Sequence, residues 1–235
     1  MLEQLGCFHF VVDYGQPFGA LRKALSESAD VRNCLIVLPE AFNYGRFYYD
    51  RVRTSPKFSA AEALNELAVL AWAWGVAFVV GLLEPPHSVA YLLEPTGQVR
   101  RLCHKGTKDW PGLYTPWTGV DPDNPTTYCG VQLGVLICNE IEDPEGLLRK
   151  MNLSLPTRQV LCVPSCLTGL FSGGSISNRW TGRYMVLANS RPDSEGCGSF
   201  IANERGWQVV KVLNPTENRL VVSSWAELDE AEHPG

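Results

Sequence analysis

Residues 59–84 read SAAEALNELAVLAWAWGVAFVVGLLE, and the way this stretch divides decides the fold. No residue between Glu66 and Glu84 is charged, and that run touches the lower edge of a membrane span, about 17–25 residues. Gly75 argues against one continuous helix. Ahead of it Ala and Leu dominate, both strong helix formers. Behind it VAFVVGLL is β-branched and aromatic, the composition of a strand. A glycine at the joint suits a helix C-cap. The stretch therefore reads as a helix ending near Trp74, a cap at Gly75 and a buried strand over 76–83, with no membrane span.

Upstream, GCFHFVV (6–12) reads as a strand, followed by a helix near Phe18 to Ser28. CLIVLP (34–39) is apolar without alternation, as a strand buried on both faces would be. Downstream, SVAYLLEPTGQVRRLCHK (88–105) suggests a hairpin around Pro95-Thr96-Gly97, then a loop from Asp109 to Pro125. TYCGVQLGVLIC (127–138) reads as a second hairpin ending in a buried strand. EDPEGLLRKMN (142–152) reads as a short helix with acidic residues in its first turn, where the helix dipole favours them. QVLCVPS (159–165) is expected as a strand, the region near Ser177 to Val186 as a helix, VLANS (186–190) as a strand, and GSFIANERGWQVVKV (198–212) as a hairpin around Arg205-Gly206. Strands alternate with helices while hairpins intervene, which predicts an α/β fold with a mixed sheet. No linker divides the chain, so residues 1–235 are expected as a single domain with 226–235 as a charged tail.

The composition sets bounds on function. Hydrophobic residues make up 45% and charged residues 19%, which excludes a disordered chain. The net charge is −5 and no Lys/Arg stripe is present, so nucleic acid is not an expected partner. Of the eight cysteines, Cys34, Cys138 and Cys162 lie in apolar, strand-like runs, where a free thiol behaves as a small hydrophobe. MLEQLGCFHFVVDYG shows neither a basic segment nor a small-residue cleavage site. A reducing, cytoplasmic setting is expected.

Three reactive residues end buried strands: Glu40 after CLIVLP, Lys105 after VRRLCH and Cys138 at the end of GVLIC. Strand ends are where α/β folds place their sites. A carboxylate to take a thiol proton, a thiol to attack carbon and an ammonium to hold the developing charge form a coherent nucleophilic set. Taken singly, each has a plainer reading as a solvated or core residue. Other chemistries find less support. The histidines (9, 87, 104, 233) never fall at zinc-ligand spacing beside a Cys pair. His104 could pair with Cys138, but no orienting carboxylate is evident beside it. No G-x-S-x-G and no phosphate-cradling glycine loop occur.

LPEAF around Glu40, RLCHKGT around Lys105 and GVLICNEIEDPE around Cys138, in that order and separated by 65 and 33 residues, resemble the three signatures of the carbon–nitrogen hydrolase (nitrilase-like) superfamily. VLCVPS, VLANS and GSFIANERGWQV extend the likeness over most of the chain. The resemblance implies an αββα sandwich with mixed sheets, Glu40 as general base, Lys105 as electrostatic stabiliser and Cys138 as nucleophile, with the Asn139 backbone N–H sharing the oxyanion. It also implies a small amide or nitrile substrate, no cofactor or metal, and a homodimer or higher homo-oligomer. The sequence departs from the pattern in three ways. Asn139 stands where an aromatic usually follows the cysteine, and RYMVLANS keeps Arg183 but not the glutamate that usually accompanies it. Residues 106–137 contain no glutamate, where family members usually carry one. Asp109 and Glu142 are the candidates to replace it. The alternative is a catalytically lapsed binding or scaffold protein on the same fold.

Overall fold

The computed structural model describes residues 1–11, 16–44, 58–107, 115–119, 121–142, 145–151, 157–165, 182–190, 198–206, 208–212 and 217–231. The region that decides the fold divides as its composition dictates. Helix α2 (Ala60–Trp74) opens with a capping box, Ser59 accepting from the Glu62 N–H while the Glu62 carboxylate accepts from the Ser59 N–H. It closes at Gly75, whose φ of 65° is left-handed and open to glycine at little cost. Strand β3 (Ala77–Glu84) follows, buried along nearly all its length. Among the described residues no helix is long and apolar enough to cross a membrane.

Two mixed sheets of six strands form the centre. The first runs β12 (Arg219–Ser224), β1 (Gln4–His9), β2 (Cys34–Val37), β3, β4 (His87–Leu93), β5 (Val99–His104). The second runs β11 (Gln208–Lys211), β10 (Phe200–Ala202), β9 (Tyr184–Asn189), β8 (Gln159–Ser165), β7 (Val131–Val135), β6 (Thr126–Tyr128). The inner strands of each sheet are parallel, β1–β2–β3 and β7–β8–β9, and the outer ones pair antiparallel.

A strand covered on both faces needs no polar alternation, yet its successive side chains still enter different cores. Leu35, Val37, Ala77 and Val79 face the second sheet, where Leu133, Val135, Val160 and Cys162 meet them. Ile36, Leu38, Phe78 and Val80 face outward onto Leu21 and Leu25 of α1 (Pro17–Glu27) and Leu67 and Leu70 of α2. On the other side of the molecule, Leu147 of α3 (Glu145–Lys150) packs with Met151 against Gly134 of β7. The layering is the αββα sandwich with mixed sheets that the sequence resemblance implies.

One expectation needs correction, and two elements lie beyond what the sequence reading named. Residues 184–186 belong to strand β9 rather than to a helix over 177–186, and 177–181 lie outside the described residues. Met185 and Val186 are core-facing, and pairing with β8 and β10 overrides their local preference. Strand β12 was not anticipated from RLVVSS, whose alternation is short and weak; its pairing with β1 supplies the missing order. The expected tail 226–235 is helical in part. Helix α4 (Trp225–Glu230) starts with a capping box of Ser224 and Glu227, and Leu228 is fully buried. Trp225 donates from Nε1 to the Leu2 carbonyl at 2.9 Å and lies under the Arg158 guanidinium, which also pairs with Asp229.

Candidate active site

Glu40 and Lys105 follow two strands of the first sheet, β2 and β5, that have β3 and β4 between them. Glu40 lies in the turn after β2, where its N–H meets the Ser165 carbonyl at the end of β8 at 3.4 Å. Gly81 of β3 makes room for that turn, since a Cβ there would stand 3.0 Å from the Glu40 Cα and 3.2 Å from the Pro164 Cβ. Asn43, three residues on, is fully buried and holds the Leu83 N–H, the Leu83 carbonyl and the Phe58 carbonyl. Lys105 follows β5. Its N–H donates to the Ser88 carbonyl and its carbonyl accepts from the Trp117 N–H, each at 2.9 Å.

The two side chains meet out of contact with solvent. Lys105 Nζ donates to Glu40 Oε1 at 2.8 Å, and Ser88 Oγ donates to the same oxygen at 3.2 Å. Both residues are 1% exposed. A buried ion pair of this kind persists because removing either partner strands the other charge.

Cys138 opens a 3₁₀ turn, Cys138–Glu142, after β7, and is 5% exposed. Its φ is 77°, a left-handed conformation that costs a non-glycine residue about 1–2 kcal/mol. Asn139, next in the chain, accepts from Thr107 Oγ at 2.8 Å, which ties the Cys138 turn to the segment after Lys105. Glu142 ends the same turn. Its side chain and all of Asp109 lie outside the described residues.

Glu140, within the motif around Cys138, was not singled out from the sequence. Its Oε2 accepts from the Ile137 N–H at 2.8 Å, and its own N–H returns to the Ile137 carbonyl at 3.2 Å. Its Oε1 accepts from the Gly106 N–H at 2.7 Å. Burial pushes its carboxyl above the usual carboxylate range, opposed by the Ile137 and Gly106 N–H donors and the Lys105 ammonium, and reinforced by Glu40. The available signal was a glutamate three residues after Ile137, the residue that precedes the helical turn, in the place of the second half of a capping box.

His104 does have an orienting carboxylate, supplied by Asp121. Asp121 Oδ1 lies 2.7 Å from His104 Nδ1, and Oδ2 accepts from the His104 N–H at 3.0 Å. The pair holds the imidazole stacked on Trp117, ring centroids 4.4 Å apart. Cys7, Cys34, Cys103 and Cys162 are buried, and burial raises each thiol well above its ordinary value, the state of inert core cysteines. Cys129 is exposed, in the turn between β6 and β7. Among the described residues no group of three or more His, Cys, Asp or Glu side chains could hold a metal ion.

No family model matches the chain, and no curated protein does either. Solved structures do match. A cysteine-to-alanine variant of the nitrilase-superfamily amidase from Nesterenkonia sp. AN1 is 21% identical, covers 98% of this chain and 94% of its own, and has a TM-score of 0.72. A glutamate-to-glutamine mutant of the same amidase, showing Michael addition of acrylamide at the active-site cysteine, is 21% identical over 93% of this chain and 91% of its own, at 0.68. A further form, with the acetamide moiety of fluoroacetamide added covalently at that cysteine, is 21% identical over 98% and 94%, at 0.71. Two mixed six-stranded sheets flanked by helices, superposable over nearly the whole chain, give this protein the carbon–nitrogen hydrolase fold of the nitrilase-superfamily amidases.

Proposed function

We propose that this protein is a cysteine-dependent amide hydrolase, with Cys138 as nucleophile, Glu40 as general base and Lys105 as electrostatic stabiliser. The observation that carries the reading is the sealed Glu40–Lys105 pair beside the segment that leads into Cys138, within the fold of amidases whose active-site cysteine forms covalent adducts. In the first step the Cys138 thiol gives its proton to Glu40 and Sγ bonds to the amide carbon. The oxyanion is held by Lys105 Nζ and the Asn139 N–H, donors that act on charge absent from the ground state. As the intermediate collapses the C–N bond breaks, and Glu40 returns the proton to the departing nitrogen. Ammonia or an amine leaves behind a thioester. Water then attacks it, giving a proton to Glu40; the C–S bond breaks and Cys138 recovers that proton.

The proposed chemistry needs no cofactor or metal. A small amide is the substrate class, with a nitrile and transfer to an acceptor other than water as close variants. Asp109 and Glu142 stay in the proposal as carboxylates that would keep Lys105 oriented. A soluble homo-oligomer in the cytoplasm is the setting that goes with this reading. A panel of small amides and nitriles, including acrylamide and butyramide, assayed for ammonia release from wild type and Cys138→Ala, tests it. Release that needs Cys138 supports it. Adducts forming on another cysteine would overturn the assignment, and a folded protein inert to every member of the panel would favour the binding or scaffold alternative.

A further inference from the structure

Among the described residues, three glutamates occupy the third position of a helical turn and reach back to the backbone N–H that precedes it: Glu62, Glu227 and Glu140. The first two behave as caps on the surface do. Glu62 and Glu227 are held below the ordinary carboxylate range, chiefly by the Ser59 and Ser224 N–H bonds they accept. Glu140 differs in its second oxygen and in its surroundings. A cap needs only the bond from Ile137. The other oxygen reaches across to the N–H of Gly106, the residue after Lys105. Both oxygens face N–H donors, at 2.7 and 2.8 Å, which suits the ionised, acceptor-only carboxylate. The ionisable groups that bear on it are Lys105, Glu40 and Cys103, so the carboxylate sits inside the electrostatic field of the site.

We propose that Glu140 is a positioning residue of the Cys138 site: its carboxylate ties the segment after Lys105 to the segment before Cys138 and sets a second negative charge, beside that of Glu40, against the Lys105 ammonium. Each bonded N–H belongs to the residue next to a functional side chain, since Gly106 adjoins Lys105 and Ile137 adjoins Cys138. A single carboxylate therefore sets the spacing of two groups that are far apart in sequence. Burial opposes its charge, and the two N–H donors with Lys105 hold the charge in place. The inference rests on Cys138 being the nucleophile.

The test measures iodoacetamide alkylation of Cys138 as a function of pH, located by peptide mass spectrometry, in full-length protein carrying Cys129→Ser, with Tm recorded for each variant. Glu140→Gln removes a negative charge that opposes thiolate formation, so its alkylation profile moves to lower pH by about one unit. Glu140→Asp keeps the charge but is a methylene too short to span both donors, and its profile lies between Gln and wild type. Glu62→Gln, a surface cap, lowers Tm and leaves the profile in place. A Glu140→Gln variant that loses Tm but keeps the wild-type profile would show a cap and nothing more, and the inference would fall while the nucleophile assignment stands. If that variant does not fold, Glu140→Asp decides: an intermediate profile supports the inference, a wild-type profile overturns it. If Cys138 in the unmutated background alkylates no faster than the buried cysteines, the nucleophile reading fails first. A profile moved by Asp109→Asn or Glu142→Gln but not by Glu140→Gln would place the second charge there and overturn the inference.

Discussion

Lys105 Nζ lies 2.8 Å from Glu40 Oε1 with neither side chain in contact with solvent. Two strands that are not neighbours in their sheet, β2 and β5, are thereby joined at one end by a charge pair. Removing one partner leaves the other charged and buried. Lys105→Met is expected to lose about 3–5 kcal/mol of stability in urea unfolding, and amide turnover about 10²–10³-fold, the range for one lost oxyanion donor. The double variant Glu40→Gln/Lys105→Met recovers part of the stability and none of the activity. A double variant less stable than Lys105→Met would contradict this account of the pair.

Cys138 holds a φ of 77° that glycine accepts and alanine resists. Cys138→Ala should keep the fold and abolish covalent turnover. Cys138→Gly should unfold at higher denaturant than Cys138→Ala, by about 1 kcal/mol. Equal stabilities would mean that the turn stores no strain at this residue.

Glu140 links stability to pH with a definite sign. Its carboxyl is raised in the folded state, chiefly by burial. The folded protein then binds a proton that the unfolded chain has released, so stability falls as pH rises from the ordinary glutamate range through the raised value. Glu62 and Glu227 are lowered and act in the opposite direction, losing stability as pH falls. In urea titrations across the acid-to-neutral range, the difference between wild type and Glu140→Gln should shrink as pH rises. A difference that grows over that window would contradict the direction assigned here.

Two glycines separate fold from site. At Gly75 an added Cβ meets nothing within 4 Å, and only the φ of 65° opposes it. Gly75→Ala should cost about 1 kcal/mol with activity retained. At Gly81 the same Cβ presses on the Glu40 backbone at 3.0 Å. Gly81→Ala should reduce amide turnover far more than its loss of Tm explains, read by comparing kcat and melting of the two variants.

The sequence carried the fold where local composition and tertiary demand agree. Ser59, Glu62 and Gly75 delimit α2, and 76–83 is apolar because both its faces are covered. It failed where pairing partners decide. RLVVSS becomes β12 only beside β1, and Trp225 and Leu228 leave an acidic tail because they have a core to enter. At the site, Glu40 and Lys105 were legible as charges ending buried strands. Glu140 was not, because its significance lies in Gly106, 34 residues earlier in the chain. Asp121 was hidden in the same way, its partner His104 standing 17 residues before it.

The central claim is that Cys138 is the nucleophile, and trapping the acyl or alkyl adduct tests it most directly. Full-length protein incubated with fluoroacetamide or acrylamide, digested and sequenced by mass spectrometry, is expected to carry the added mass on Cys138. The modification should precede that of buried Cys7, Cys34, Cys103 and Cys162 and be lost in Lys105→Met. Modification confined to exposed Cys129, with Cys138 untouched while the protein remains folded, would contradict it.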